Sequence, residues 1–120
     1  MRALLVIALL AGCRSNDDLI AAARARVLAI SADDAAKFVA ACGTMAKKPK
    51  GLLLVREWPA LPITPTTIEV GDTAVTLAWW NNDHREDDRS HPGFEVICTE
   101  TTTGRELAPG LWYRDNPPAD

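Results

Sequence analysis

The chain has 120 residues, of which 48% are hydrophobic, and its 16 acidic residues outnumber 13 basic ones for a net charge of −3 at pH 7. That balance excludes nucleic acid as the expected partner, because phosphate binding draws on clustered Lys and Arg. The length suits one domain, of a size at which a core benefits from a covalent tie.

The first residues have the layout of a secretory signal: a basic start at Met1-Arg2, an apolar run from Ala3 to Leu10, and the small pair Ala11-Gly12. A membrane-spanning helix would need about 18 or more apolar residues. The polar run Arg14 to Asp18 ends this stretch well short of that.

Cys13 follows the small pair directly, and Leu10-Ala11-Gly12-Cys13 resembles the bacterial lipoprotein box. The resemblance covers residues 1–13 only. It implies a signal peptide over 1–12, a Cys13 thiol that receives a diacylglyceryl group and becomes the mature N-terminus, and a tether over 13–18. It also implies firm anchoring, palmitate included, since stable membrane attachment takes more than one acyl chain. Arg14, where aspartate would favour the inner membrane, points to the outer membrane facing the periplasm. Two other readings fit the same residues: a secretory peptide cleaved without lipidation, and a buried N-terminal strand or helix. Loss of residues 1–12 would remove Arg2 and leave 12 basic against 16 acidic residues, a net charge of −4.

Three cysteines in an exported chain leave one to explain. Lipidation takes Cys13 out of the count, and Cys42 and Cys98 become an even pair expected to form a disulfide in an oxidising compartment.

Beyond the tether, Ile20, Ala23, Val27 and Ile30 recur at helical spacing, although Arg26 to Ile30 also fits a short strand. Ser31 with Asp34 three residues on predicts a helix N-terminus, and Ala35, Phe38, Val39 and Cys42 predict its buried stripe. Gly43 is expected as its left-handed C-cap. Leu52 to Val55 is a continuous apolar run, expected as a strand covered on both faces. Pro59, Pro62 and Pro65 recur every third residue, which suits either a polyproline docking segment or an extended connection between strands.

Alternation at Ile68 and Val70, then Val75, Leu77 and Trp79, predicts a hairpin turning at Gly71-Asp72, with these residues inward and Thr76, Ala78 and Trp80 outward. Phe94, Val96 and Cys98 alternate again, so Cys98 and Cys42 are both expected to face the core. Thr102 to Arg105 predicts another turn. Leu107 to Tyr113 predicts a last strand, interrupted by Pro109-Gly110 and placed at a sheet edge by the proline. Residues 116–120 are expected as a tail. The pattern as a whole predicts a single α+β domain over 19–115, with one or two N-terminal helices packed on a small, mainly antiparallel sheet of about four to five strands.

The segment Asn81 to His91 holds both histidines and four carboxylates, Asp83, Glu86, Asp87 and Asp88. His84, His91, Asp83 and Asp87 have the ligand chemistry of zinc, but their spacing matches no metal signature, and Arg85 and Arg89 intervene. An exposed charged loop is the expectation, with no metal, no cofactor and no catalytic centre. Four tryptophans offer a better lead. Adjacent Trp79 and Trp80 cannot face the same side of a strand, so one is expected either to find cover on the second face or, with Trp58 or Tyr113, to form an aromatic contact surface.

The sequence therefore predicts a small lipid-anchored envelope protein that binds or scaffolds, attached to the membrane through Cys13 and engaging an envelope protein partner. The candidate binding residues are Trp58, Trp80, Asp83, His84, Asp87 and Asp88. An inhibitor or immunity-type protein acting on a periplasmic hydrolase, inserting the Asp83–Asp88 segment, is the alternative.

Overall fold

The computed structural model describes residues 16–80 and 93–116. Cys13, the 1–12 signal, the candidate residues Asp83, His84, Asp87 and Asp88, and positions 117–120 lie outside them. The described residues form two helices, α1 (Asn16–Leu28) and α2 (Ala32–Met45), and six strands: β1 (Gly51–Leu52), β2 (Thr67–Val70), β3 (Val75–Trp79), β4 (Gly93–Cys98), β5 (Arg105–Ala108) and β6 (Leu111–Asn116). The strands make one antiparallel open sheet in the order β1-β2-β3-β4-β6-β5. The class is α+β, as the patterning indicates, with more strands than expected.

The inner face of the sheet follows the alternation of the sequence. Ile68, Val70, Val75, Leu77, Trp79, Phe94, Val96, Leu111 and Tyr113 are all buried, in one core with Ile20 and Val27 of α1 and Phe38, Cys42 and Met45 of α2. Each fully buried side chain of this size contributes about 1.5–3 kcal/mol of transfer free energy. Ser31 caps α2, its hydroxyl accepting the Asp34 N–H at 3.1 Å. Cys42 on α2 and Cys98 at the end of β4 are joined by a disulfide with a Cα separation of 6.4 Å. The bond ties the helical layer to the middle of the sheet.

Several local expectations need correction. Val39 is exposed rather than part of the α2 stripe. The stripe centres on Phe38, Ala41, Cys42 and Met45, and Val39 is one step of about 100° away from Phe38 around the helix. Gly43 does not end α2. The helix runs on to Met45, and Ala46 caps it in right-handed conformation (φ −61°, ψ −18°), with the Ala46 N–H on the Cys42 carbonyl and the Lys47 N–H on the Thr44 carbonyl. Complete burial of Met45 holds the last turn together past the glycine.

Leu52 to Val55 is not a strand covered on both faces. Only Gly51 and Leu52 pair with β2, Leu53 alone turns inward, and Val55–Glu57 is a 3₁₀ turn. The segment forms the sheet edge, where, among the described residues, one face has the helices and the other has none. The β2–β3 connection spans residues 71–74, closed by the Gly71 N–H on the Ala74 carbonyl at 2.8 Å. Leu107 to Tyr113 is two strands rather than one, because Pro109-Gly110 is a turn in which Gly110 takes φ 84°. Proline followed by a left-handed glycine suits the centre of a type II turn. Thus β5 is an edge strand, while β6 is internal.

The prolines line an extended connection between β1 and β2 in which Ile63 and Pro65 are buried and Trp58 and Leu61 pack on the core. On the outer face, Ala78 and Ile97 are buried although they point away from the helices. The register sets Ile97 between Thr76 and Trp112 and Ala78 between Thr67 and Glu95. Arg114 donates to Glu95 Oε1 through Nε at 3.1 Å and Nη2 at 2.9 Å, adding an ion pair to this face.

Candidate binding surfaces

Besides Val39 on α2, the exposed large apolar side chains among the described residues gather at two places. The first is the corner where β3 ends beside the start of α1. Alternation turns Trp79 into the core and leaves Trp80 39% exposed, and Leu19, three residues into α1, is 51% exposed. Both residues line a groove of about 250 Å³, together with Ile20, Ala23, Thr64, Thr66 and Trp79. Thr66 fixes the end of the strand: its Oγ1 accepts the Trp80 N–H at 3.1 Å and donates to the Trp80 carbonyl at 3.2 Å. Thr67 Oγ1 accepts the indole N–H of Trp80 at 3.3 Å. The ring is therefore exposed in a fixed setting, with its one polar atom already satisfied.

Beneath this corner lies an aromatic stack. The rings of Trp79 and Phe94 are 4.7 Å apart and nearly parallel, and those of Phe94 and Tyr113 are 5.6 Å apart. Arg24 of α1 lies over the Phe94 ring at 5.5 Å, donates from Nε to the Tyr113 oxygen at 3.1 Å, and donates from Nη2 to the Gly93 carbonyl at 3.3 Å. Cation–π contact and two charge-assisted hydrogen bonds thus pin α1 to the sheet. The Tyr113 hydroxyl donates onward to Asp115 Oδ1 at 2.7 Å. Burial pushes the Tyr113 pKa above its ordinary 10.0, the Asp115 hydrogen bond adds to the rise, and the Arg24 guanidinium opposes it. A phenol held protonated in this way is a donor and a structural pin, not a base.

Gly93 is required for this packing. A Cβ there would collide with the Trp79 carbonyl oxygen, so only glycine lets β4 start so close to the end of β3.

The second surface is the β1 edge. Leu52 is 72% exposed, Leu54 53% and Val55 71%. Leu52 lies on the strand that ends the sheet on this side, paired only with β2 among the described residues, and Leu54 and Val55 follow it at the start of the 3₁₀ turn. Sequence reasoning missed this surface because a run of four apolar residues reads as buried. Flanking Lys47, Lys48, Lys50 and Arg56 are the only signal that pointed outward.

The predicted aromatic contact residues are not gathered into one patch. Trp80 is exposed at the α1 corner. Trp58 is half-buried against the core, with its indole N–H donated to the Leu53 carbonyl at 3.1 Å, and Tyr113 is buried. Asp83, His84, Asp87 and Asp88 lie in the segment outside the described residues, so neither the acidic contact loop nor a His–Asp metal centre is described. Among the described residues no group of three or more His, Cys, Asp or Glu is assembled for a metal ion. No described helix is long and apolar enough to cross a membrane. Comparison with protein-family models, curated proteins and solved structures finds no match for this chain.

Proposed function

We propose that this chain is a small envelope protein, held on a membrane through a lipidated Cys13 and working by binding a protein partner rather than by catalysis. The observation that carries the reading is the Cys42–Cys98 disulfide. Such bonds persist in oxidising compartments, and this one consumes the two downstream cysteines, leaving the third within Leu10-Ala11-Gly12-Cys13. The outer membrane, facing the periplasm, is the address that Arg14 favours.

The binding role draws on the β1 edge. Exposed Leu52, Leu54 and Val55, beside a strand with one side unpaired among the described residues, offer apolar contact and backbone groups for an added strand. A disulfide-tied sheet holds that edge in a fixed shape before a partner arrives, which lowers the ordering entropy of binding.

Two measurements test the reading. Intact mass of the mature protein should show a chain starting at Cys13 with added acyl mass, and Cys13→Ala should leave the membrane fraction. A different N-terminus or an unmodified Cys13 would remove the anchor. A photo-crosslinking residue at Val55 should give a discrete adduct in intact cells that Leu54→Asp abolishes. No adduct, or one indifferent to Leu54→Asp, would remove the binding role for this edge.

A further inference from the structure

We infer that the Leu19–Trp80 corner is an interfacial membrane contact, which seats the domain against the bilayer that holds Cys13. The inference rests on the lipid-anchor reading and adds to it the orientation of the folded domain. Cys13 precedes the start of α1 by three residues, which reach at most about 10 Å when extended. Leu19 lies three residues further on, about 4.5 Å along the helix axis. A group buried in the bilayer through Cys13 thus has its membrane surface within about 15 Å of Leu19. The first exposed apolar side chains that surface meets are Leu19 and, across the shared groove, Trp80.

The chemistry of the corner fits the boundary between headgroups and acyl chains. Tryptophan is enriched at that depth because an apolar ring and a polar N–H suit a zone that is wet on one side. Trp80 meets the condition internally, since Thr67 already accepts its indole N–H, so moving the ring out of water leaves no donor unpaired. On the face of α1 that adjoins Leu19, the next turn carries exposed Ala22 and half-buried Ala23, small side chains that let the helix approach a surface closely, and Arg26 two turns on donates from Nη2 to the Pro62 carbonyl at 3.3 Å. The driving force is apolar. Asp18 is exposed at the same end, and the chain is acidic overall, so the contact gains nothing from anionic lipid and changes little with salt.

The test uses full-length lipidated protein in phosphatidylcholine vesicles, with and without brominated acyl chains, read by tryptophan fluorescence. Bromine should quench the wild-type emission. Trp80→Phe should lose most of the bromine-dependent quenching, Leu19→Ser should reduce it, and Trp58→Phe should leave it in place. Circular dichroism of each variant checks that the fold is kept. Replacing part of the lipid with phosphatidylglycerol, or raising salt, should not increase the quenching. Acylated protein whose quenching is absent, or is the same in Trp80→Phe as in wild type, overturns the seating while the anchor stands. A protein without acyl mass on Cys13 overturns both, and the mass spectrum of the same sample tells the two failures apart.

Discussion

Replacing Cys42 and Cys98 together by alanine tests the covalent tie between α2 and the sheet. The disulfide closes a loop of 56 residues, for which the chain-entropy relation gives about 14 cal/mol/K, or about 4 kcal/mol at 25 °C. Cys42 is buried on α2, so loss of its sulfur adds a small cavity term, on the order of 1 kcal/mol. The sum is a large part of the roughly 5–15 kcal/mol by which a domain is stable. For a domain of this size it lowers the melting temperature by about 20 °C. The assay is thermal unfolding followed by far-ultraviolet circular dichroism, on the double variant and on the wild type with and without a phosphine reductant. Reduction alone should reproduce most of the shift, because it opens the loop without removing a sulfur. Urea titration of the variant should also give a steeper slope, since an unfolded chain without the cross-link exposes more surface. A fall of less than about 5 °C in both the variant and the reduced protein would refute the loop-entropy reasoning.

Tyr113 is the only tyrosine, so absorbance near the phenolate band reads this one group. Its titration should lie above the ordinary 10.0, with burial as the main cause, and Asp115→Asn should bring it down. Because the folded pKa is the higher one, folding favours the protonated form. The stabilisation is fully present below pH 10.0 and is lost as pH rises through the folded value, so unfolding by denaturant should become easier over that window. Two glycines should respond in opposite directions. Gly43→Ala, in helical conformation with nothing within 4 Å of the new Cβ, should stabilise by about 0.5–1 kcal/mol. Gly93→Ala should destabilise by about 1–3 kcal/mol or more, through the collision with Trp79, and both are read by urea midpoints. Ser31→Ala should cost about 1 kcal/mol by the same measurement, and Ser31→Asp should restore most of it.

Much of the layer structure was legible in the sequence because it depends on short-range periodicity. The inward set on β2, β3 and β4 follows period 2, and Ile20 and Val27 follow the helical period, so burial could be assigned residue by residue. The inward direction of Cys42 and Cys98 followed from the same rule, and the disulfide joins them. Val39 was misplaced by the helical period itself, at the border of the stripe, and the other errors arose where periodicity is silent. Leu52 to Val55 has no alternation, so an apolar run at a sheet edge reads the same as one in a core. Gly43 has the local chemistry of a stop signal, and burial of Met45 two residues later overrode it. Pro109-Gly110 reads as an interruption until the two flanking segments are seen to pair.

The candidate surfaces divide along the same line. Adjacency of Trp79 and Trp80 required by itself that one ring face away from the other, since successive side chains in a strand point to opposite sides. Which one is exposed was also settled by pattern, from Val75 and Leu77. That Trp80, with its indole N–H held by Thr67, shares a groove with Leu19 depends on α1 starting beside the end of β3. The Arg24 pin on Phe94, Tyr113 and Gly93 joins residues 69 to 89 positions apart. The chain alone determined the class of fold and most of the inward faces, because these rest on spacing between near neighbours, and it offered Cys42 and Cys98 as a pair whose approach to a Cα separation of 6.4 Å the tertiary structure decided. Only the tertiary structure decided which apolar residues stay in contact with water, because exposure depends on what packs against a residue from elsewhere in the chain.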